Sequence, residues 1–347
     1  MWEVQTELLD IARKIVRKKK DLIGPILGCG VFLMVILFRY FGMLELLELK
    51  AYDFFQNWQP RVLTSQNRIT IVTVTEADIA SLAHWPISDQ VLARAIAVLL
   101  RYQPLAIGLD IYRDIPVPPG YEYLTAIFSE NSNIVAAMKC GSALSNSIKA
   151  PQVLQGTDRM GFVDMISDTD GMVRRGILFM DNGKEFYYSF ALRMAMQFLH
   201  PMGISVGPSE TDSNAVQLGR TTIAPFESND GGYHRADAGG YQLLLDYRDD
   251  GRYITRITMM QLLNNAIDGS VISGKLVFFG VDAESVKDYF HVPIRSFYKD
   301  SYRISGVELH ALIANQLIAY ALGERKPIRP FSKSFEIVWI WFWSILP

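Results

Sequence analysis

Cysteine is scarce in this sequence: its 347 residues include only two, Cys29 and Cys140. Cys29 lies in a long apolar run near the N-terminus, so the region after that run carries a single cysteine. A single cysteine cannot form an internal disulfide, and a C-x-x-C metal or redox motif is impossible. The sequence therefore predicts a domain whose stability comes from packing, and it excludes a small disulfide-bonded secreted fold.

An excess of charge of one sign is also lacking, since 34 Lys and Arg residues nearly balance 36 Asp and Glu residues, for a net charge of -2. The only strong basic block runs from Arg13 to Lys20 and lies just before the apolar run. A nucleic-acid-binding domain would carry a basic patch of its own, so nucleic acid is excluded as a partner. Phosphate-loop, zinc-site and nucleophile-elbow motifs are missing too. We therefore predict no catalytic residue, cofactor or metal.

The apolar run, Leu22 to Phe38, contains no charged residue. As a helix it would be about 26 Å long, and Arg39 to Gly42 would extend it to bilayer thickness. It predicts a transmembrane helix over residues 22–42. Because basic residues precede it, the positive-inside rule places residues 1–21 in the cytoplasm and residues 43–330 outside, in the periplasm or extracellular space. A cleaved signal peptide is the alternative, although no A-x-A cleavage site follows the run.

A second apolar segment, Phe335 to Pro347, contains three tryptophans. About a dozen residues are too few to cross a bilayer, so residues 331–347 are interpreted as the truncated start of a second transmembrane helix. On this interpretation the chain is a fragment whose cytoplasmic output domain is missing. A Trp-rich amphipathic tail at the membrane interface is the alternative.

Residues 43–330 combine helical and strand patterns. Leu44 to Arg61 has apolar residues at helical spacing and predicts a stalk that continues the membrane helix outward. Three apolar runs predict buried strands, at Arg68 to Thr75, Pro104 to Ile111 and Leu276 to Val281. A helix capped by Ser88 separates the first two strands, which predicts a βαβ unit with parallel pairing.

Later patterns complete the predicted fold. Gly306 to Leu322 is apolar almost all round, which indicates a helix packed between layers. Helices are also predicted at Tyr187 to Leu199 and Ile257 to Ile267, and loops around one short strand at Ala215 to Leu218 between residues 200 and 240. The predicted class is α/β, with a mixed, largely parallel sheet and flanking helices, plus the N-terminal transmembrane helix and stalk.

Polar residues follow the apolar strands, where open α/β sheets place ligand crevices. The candidate ligand-binding residues near these strand ends are Asp110, Asp282, Asp288 and His310. Such a group predicts a site for a divalent cation or a polar ligand. The alternative is that the carboxylates cap helices and bind loop amides, while His310 donates to a backbone carbonyl.

Arg174 and Arg175 follow an Asp-Gly turn and are the remaining candidates. Arg174 is the one retained as a ligand contact, because a guanidinium can bind an anion through two hydrogen bonds. The alternative is that one of the two arginines pairs with an aspartate of the turn, Asp164, Asp168 or Asp170, and fixes its shape.

An ordered set of motifs resembles the CHASE type-two sensory domain. The set comprises LKAYDFF at Leu49 to Phe55, ITIVTVTEADI at Ile69 to Ile79, Trp85-Pro86, LAIGLDI, GFVDMISDTDGMVRR, KLVFFGVDAESVKDYFHVPI at Lys275 to Ile294, and GVELHALIANQL at Gly306 to Leu317. The likeness spans about Leu44 to Pro330. It implies an extracytoplasmic sensor of a bacterial receptor, bracketed by membrane helices and followed by a cytoplasmic enzyme.

The sequence departs from that family in two places. The family commonly has an acidic residue where Thr75 stands, and a basic residue shortly after the Trp-Pro pair, where Ile87, Ser88 and Asp89 stand. If those positions shape a ligand site, the ligand of this chain differs or is absent.

The resemblance implies a non-catalytic sensor in the inner membrane that works as a homodimer and responds to an unknown small molecule or envelope ligand. The expected output is a class III adenylate or guanylate cyclase, with a histidine or serine/threonine kinase as the alternative. Two other hypotheses remain. One is an exported, membrane-tethered metal hydrolase using Asp110, Asp282, Asp288 and His310, and the other is a structural anchor that pairs with another envelope protein.

Overall fold

A computed structural model describes residues 24–59, 67–141, 146–181, 185–248, 251–294 and 302–346. The chain divides into two compact units. The first comprises Met1–Tyr52, Glu227–Asp237 and Arg329–Pro347, and the second comprises Asp53–Phe226 and Ala238–Ile328. The predicted cytoplasmic segment, residues 1–21, lies outside the described residues.

Two apolar helices of the first unit pack against each other. Helix α1 spans Gly24–Tyr40, and the last helix, α9, spans Lys333–Ile345 and is capped by the side chain of Ser332. A Cβ on Gly28 would lie 2.8 Å from the carbonyl oxygen of Ser344, so glycine permits their close approach. Their other sides expose large apolar residues, which include Ile26, Leu33, Leu37, Trp339, Trp341 and Trp343.

The stalk helix α2, Glu45–Trp58, does not continue α1 outward as the sequence predicts. The axes of the two helices differ by 94°. Gly42 causes the turn, because it has a φ of 71° and ends α1 in a Schellman motif. The Gly42 N–H donates to the carbonyl oxygen of Arg39 at 2.9 Å, and the Met43 N–H donates to the carbonyl oxygen of Phe38 at 2.9 Å.

Within the described residues, no single helix is both long and apolar enough to cross a membrane. Helices α1 and α2 have the length and composition of one span only when taken together, with the 94° bend between them.

The second unit is built on a six-stranded sheet with the order β11-β1-β12-β2-β3-β4. These strands span Ile69–Thr75 (β1), Ala106–Leu109 (β2), Ile134–Met138 (β3), Met160–Phe162 (β4), Thr255–Thr258 (β11) and Leu276–Asp282 (β12). Every pairing within this sheet is parallel. Strands β1 and β2 are therefore parallel, as predicted, but they pair with β12 between them and not with each other.

Helices cover both faces of the sheet. They span Glu76–Leu82 (α3), Asp89–Arg101 (α4), Tyr121–Glu130 (α5), Phe190–Leu199 (α6), Met259–Leu263 (α7) and Gly306–Ala321 (α8). Alternate residues of each strand point to opposite faces: Leu276 and Phe278 join one core with α6 and α8, and Val277 and Phe279 join another with α4, α5 and α7. The three-layer arrangement confirms the predicted α/β class with a largely parallel sheet and flanking helices, but not the transmembrane helix that the prediction included. Helix α8 is buried almost all round, as predicted.

In the described part of the chain, three smaller antiparallel sheets surround this framework. Their strands are Val206–Pro208 (β7), Val216–Leu218 (β8) and Thr221–Ile223 (β9); Arg175–Asp181 (β5), Phe186–Tyr188 (β6) and Tyr241–Leu244 (β10); and Tyr289–His291 (β13) and Arg303–Ser305 (β14).

The prediction of one short strand between residues 200 and 240 is wrong, because β7 and β9 pair with β8 there. Two further local predictions are also wrong. Residues 255–258 form the edge strand β11, so the helix predicted at Ile257 to Ile267 is only the short α7. Similarly, β6 precedes α6 where the sequence predicts a helix from Tyr187. In both places a Thr or Ser cap, Thr258 or Ser189, starts the helix later than the apolar spacing indicates.

Candidate functional site

Acidic residues follow the carboxyl ends of neighbouring parallel strands. Asp110 comes directly after β2, and Asp282 ends β12. Since Phe279 of β12 pairs with Leu109 of β2 in parallel register, the two aspartates lie at the same edge of the sheet. Strand β12 lies between β1 and β2, and open α/β sheets place ligand crevices at the carboxyl ends of their strands.

Asp110 and Asp288 form an acidic pair at this edge. Burial raises the pKa of Asp110 well above its usual range, and the charge of Asp288 raises it further. Burial also raises the pKa of Asp288. Two carboxylates in a poorly solvated site do not both ionise readily, so the pair retains a proton at pH values where an isolated aspartate has lost it.

The start of α8 approaches this pair closely. A Cβ on Gly306 would lie 2.5 Å from Oδ2 of Asp288, so a side chain at this position would collide with the carboxylate. The Gly306 N–H donates to the carbonyl oxygen of Asp288 at 3.1 Å. Glycine therefore allows the loop after β12 and the start of α8 to meet.

Two further residues belong to this acidic edge, and the sequence analysis did not assign them to it. Burial raises the pKa of Tyr112, and the charges of Asp110, Asp164 and Asp288 raise it further. Asp164 accepts hydrogen bonds from the N–H groups of Cys140 at 2.8 Å and Gly141 at 3.2 Å. The available signal was the position of Asp164, which follows a strand end as Asp110 does.

Asp282 has a partner within the fold. The Tyr289 hydroxyl donates to its Oδ1 at 2.8 Å, and the guanidinium of Arg303 lies 4.1 Å from the centre of the Tyr289 ring. Burial and the bond to Asp282 both raise the pKa of Tyr289. Asp282 thus fixes the start of the loop that carries Asp288.

His310 lies in the hydrophobic core beneath the edge. Its ring packs edge-on against Phe190, with 5.4 Å between ring centres, and burial lowers its pKa to about 3. The predicted bond from His310 to a backbone carbonyl is not formed by Nδ1, which has no hydrogen-bond partner among the described residues. Its helix neighbour Glu308 pairs with Arg256 at 2.6 Å.

The described residues contain no group of three or more His, Cys, Asp and Glu side chains that could hold a metal ion. Asp110, Asp282, Asp288 and His310 are all among the described residues.

Arg174 is the centre of a second charged cluster, and this cluster binds the stalk. Its side chain is only 1% exposed and pairs with Asp168 at 2.8 Å and with Asp170 at 2.7 Å. Its Nε and Nη2 also donate to both carboxylate oxygens of Asp53 on α2, each at 2.7 Å. The pairing of Arg174 with the Asp-Gly turn, one of the two hypotheses, is therefore observed.

The stalk makes a second contact with the same sheet region. The side-chain amide of Gln56 donates to the carbonyl oxygen of Leu245 at 3.1 Å and accepts from the N–H of Tyr247 at 3.0 Å. Asp53 and Gln56 lie one helical turn apart, so one face of α2 is fixed by polar contacts. Sequence reasoning missed both residues, because its helical pattern followed the apolar positions only.

The residues at the two positions where the chain departs from the CHASE type-two pattern have local roles. Thr75 caps α3, and its side chain accepts from the N–H of Asp78 at 3.2 Å. Ser88 caps α4, as predicted, and Asp89 pairs with Arg113 at 3.1 Å.

The first unit contains a separate polar junction. Arg39, near the end of α1, pairs with Glu48 of α2 at 2.8 Å and with Glu336 of α9 at 3.1 Å. It also donates to the carbonyl oxygen of Gly231 at 2.6 Å. One guanidinium thus joins the two apolar helices, the start of the stalk and the 227–237 loop.

Comparison with known proteins gives one match. No curated protein and no solved structure matches the chain. The model of the CHASE2 domain family matches residues 30–347, which is most of the sequence. The chain therefore belongs to the CHASE2 domain family, whose members are extracytoplasmic sensory domains of membrane signalling receptors.

Proposed function

We propose that this chain is the sensing part of an inner-membrane receptor that passes a stimulus to a cytoplasmic output domain, a class III adenylate or guanylate cyclase. In this proposal residues 1–21 are cytoplasmic, residues 22–42 and 331–347 enter the membrane, and the domain between them is periplasmic or extracellular. Family membership supports the sensory role. The observation that carries the proposal is the double hydrogen bond between Arg174 and Asp53, because it ties the domain to the helix that leads to the membrane.

The ligand contacts that we propose are Asp110 and Asp288. Their shared proton would be displaced by a cation or by a polar ligand with hydrogen-bond donors, since either favours the ionised form of a carboxylate. The other candidates, Asp282, Arg174 and His310, then act behind the site. Asp282 positions the loop, Arg174 links the turn to the stalk, and His310 supports the start of α8.

A homodimer is the proposed working state, and α2 supplies its contact. The face of α2 that carries Asp53 and Gln56 is bound to the domain. The opposite face exposes Leu47, Phe54 and Trp58, which are 64%, 63% and 76% exposed. Apolar residues at this spacing form a stripe along one side of a helix, and two such stripes can pack together.

Signal transmission then requires two arrangements of the stalk. A ligand that binds one state of the acidic edge more tightly shifts the equilibrium toward that state. The loop after β12 carries Asp288 and meets α8, while the turn before β5 holds Asp53 of the stalk through Arg174. A small change in packing at the edge would thereby alter the pairing of two stalk helices.

The test uses the full-length receptor, whose output domain is identified by reading the coding sequence past Pro347. For a cyclase, the cyclic-nucleotide synthesis rate is measured in membranes that carry the wild type or the Asp53→Asn variant. We expect the variant to make active enzyme whose rate no longer responds to the stimulus. A kinase sequence after Pro347 would replace the cyclase with the alternative output. Unchanged regulation in the Asp53→Asn receptor would overturn the proposed route.

A further inference from the structure

A pocket of about 410 Å³ lies within the first unit. Its walls come from the end of α1, the start of α9 and the loop around residues 229–235. Its lining residues include Ile36, Arg39, Tyr40, Arg235, Lys333 and Ile337. Neither the acidic edge nor the Arg174 cluster contributes to it.

The acidic groups around this pocket already have partners. Glu336 and Glu48 pair with Arg39, and Glu45 accepts from the N–H of His234 at 3.3 Å. The positive charge of Lys333 acts on the Asp230 carboxylate. That carboxylate also accepts a hydrogen bond from the N–H of Glu227 at 2.9 Å. The pocket's acidic charge is therefore already engaged by groups of the protein.

Two cations of the pocket remain available. The side chains of Arg235 and Lys333 are exposed and line the pocket. Within the described part of the chain, neither side chain makes a hydrogen bond or an ion pair. Lys333 is also the first residue of α9, where the positive end of the helix dipole adds to its charge. These two side chains are thus suited to bind an anion.

The loop that carries Arg235 is held in place. Arg235 has a φ of 51°, and its N–H donates to Oδ1 of Asn229 at 2.9 Å. Gly232 packs so closely on the stalk that a Cβ would lie 2.6 Å from Cβ of Glu48. The guanidinium of Arg235 is therefore carried by an ordered turn.

Part of the pocket lining is apolar. Ile36, Tyr40 and Ile337 line it together with the two cations. Ile36 and Ile337 belong to α1 and α9, whose other sides expose large apolar residues. A ligand that contacts both sets of side chains would combine an anionic group with a hydrocarbon part.

We propose that this pocket binds the phosphate group of an anionic phospholipid, with Arg235 and Lys333 as its contacts and an acyl chain along Ile36 and Ile337. A soluble phosphate shares the charged end of this chemistry but not the hydrocarbon part. The proposal rests on the membrane placement of α1 and α9 in the proposed function. It does not rest on dimerisation, on the acidic edge or on an output enzyme, so it can fail or succeed separately from them.

The test is a titration of the detergent-purified 347-residue chain with phosphatidylglycerol, followed by native mass spectrometry. The variant is R235Q/K333Q. Its matched control is R94Q/R101Q, which removes two exposed charges from α4. We expect the control to bind lipid like the wild type and R235Q/K333Q to bind about tenfold more weakly, because charge-assisted hydrogen bonds to phosphate are lost.

Two further measurements test whether the bound phosphate belongs to a lipid and whether the variant is folded. Excess inorganic phosphate should leave lipid binding unchanged, and displacement of the lipid by inorganic phosphate would overturn the lipid assignment. The charge-retaining variant R235K/K333R should restore binding, which separates a loss of charge from a loss of fold. Equal lipid binding by R235Q/K333Q and R94Q/R101Q would overturn the proposal.

Discussion

Arg174 holds both carboxylate oxygens of Asp53 at 2.7 Å, and Asp53 lies on the stalk helix α2 while Arg174 lies just before β5. The same guanidinium pairs with Asp168 and Asp170. One buried cation therefore connects the stalk to the Asp-Gly turn. Because the turn keeps its own bonds to Arg174, the stalk can loosen without loss of the turn.

We expect Asp53→Asn to weaken the attachment of α2 while the domain stays folded. An amide binds a guanidinium less strongly than a carboxylate does, and loss of a partly buried charge pair costs about 1–3 kcal/mol. Hydrogen–deuterium exchange of α2 in the full chain should become faster, with little change in β1 and β12.

The matched control for this change is Asp114→Asn, at an exposed position. It should leave the exchange of α2 unchanged. If α2 exchanges at the same rate in both variants, the Arg174 contact does not hold the stalk. In contrast, Arg174→Met leaves Asp53 and Asp170 without their cation and Asp168 with Arg175 alone. We expect it to destabilise the whole domain by about 3–5 kcal/mol.

Loss of apolar surface on the exposed face of α2 should weaken the dimer. We expect Phe54→Gln together with Trp58→Gln to raise the dimer dissociation constant by about tenfold or more, since large aromatic residues dominate most interfaces. Analytical ultracentrifugation of the detergent-purified chain measures this constant. Ile115→Gln removes another exposed apolar residue, 70% exposed, and serves as the control. An unchanged dissociation constant in the Phe54/Trp58 variant would exclude this face.

The parallel framework could be predicted because its strands are buried on both faces. Short continuous apolar runs such as Leu276 to Val281 are typical of central strands. Ser88 marks the start of α4, because its side chain caps the helix. Asp110 and Asp282 could be placed at one edge for the same reason, since the carboxyl ends of parallel strands coincide. These predictions depend on local patterns alone.

Other features depend on contacts between distant segments, which local patterns do not contain. The position of β12 between β1 and β2 joins residues about 200 positions apart in the chain. The bond between Asp53 and Arg174 crosses 121 positions. The bend after α1 had a local signal in Gly42, but an apolar run on both sides of it favours one straight helix.

Asp110→Asn should stabilise the domain, and the gain should grow with pH. The folded-state pKa of Asp110 is raised by burial and by Asp288, so above the unfolded value the folded protein binds the proton that the unfolded chain has released. Stability of the wild type therefore falls as pH rises through this window, by at most about 1.4 kcal/mol per pH unit for one proton. Urea unfolding of the chain between pH 5 and about pH 8 measures the difference.

The double variant Asp110→Asn/Asp288→Asn provides a check on the pairing. If the two residues share one proton, each single change removes the repulsion and the second adds little. Fully additive gains would indicate two independent carboxylates. Asp114→Asn, at an exposed position, should leave the pH dependence unchanged.

His310→Phe should reduce the acid sensitivity of the domain. Burial lowers the folded-state pKa of His310 to about 3, from an ordinary value of 6.5, so between these values the unfolded chain binds a proton that the folded protein excludes. The neutral histidine's contribution is complete above pH 6.5 and is lost as pH falls toward 3. Between pH 7 and pH 5 this loss amounts to about 2 kcal/mol.

A phenylalanine ring keeps the contact with Phe190 and has no titrating nitrogen. Urea unfolding should therefore show the His310→Phe variant gaining about 2 kcal/mol of stability over the wild type at pH 5. His200→Phe, at an exposed histidine, should show no such gain, and an equal response in both variants would mean that His310 does not cause the acid sensitivity.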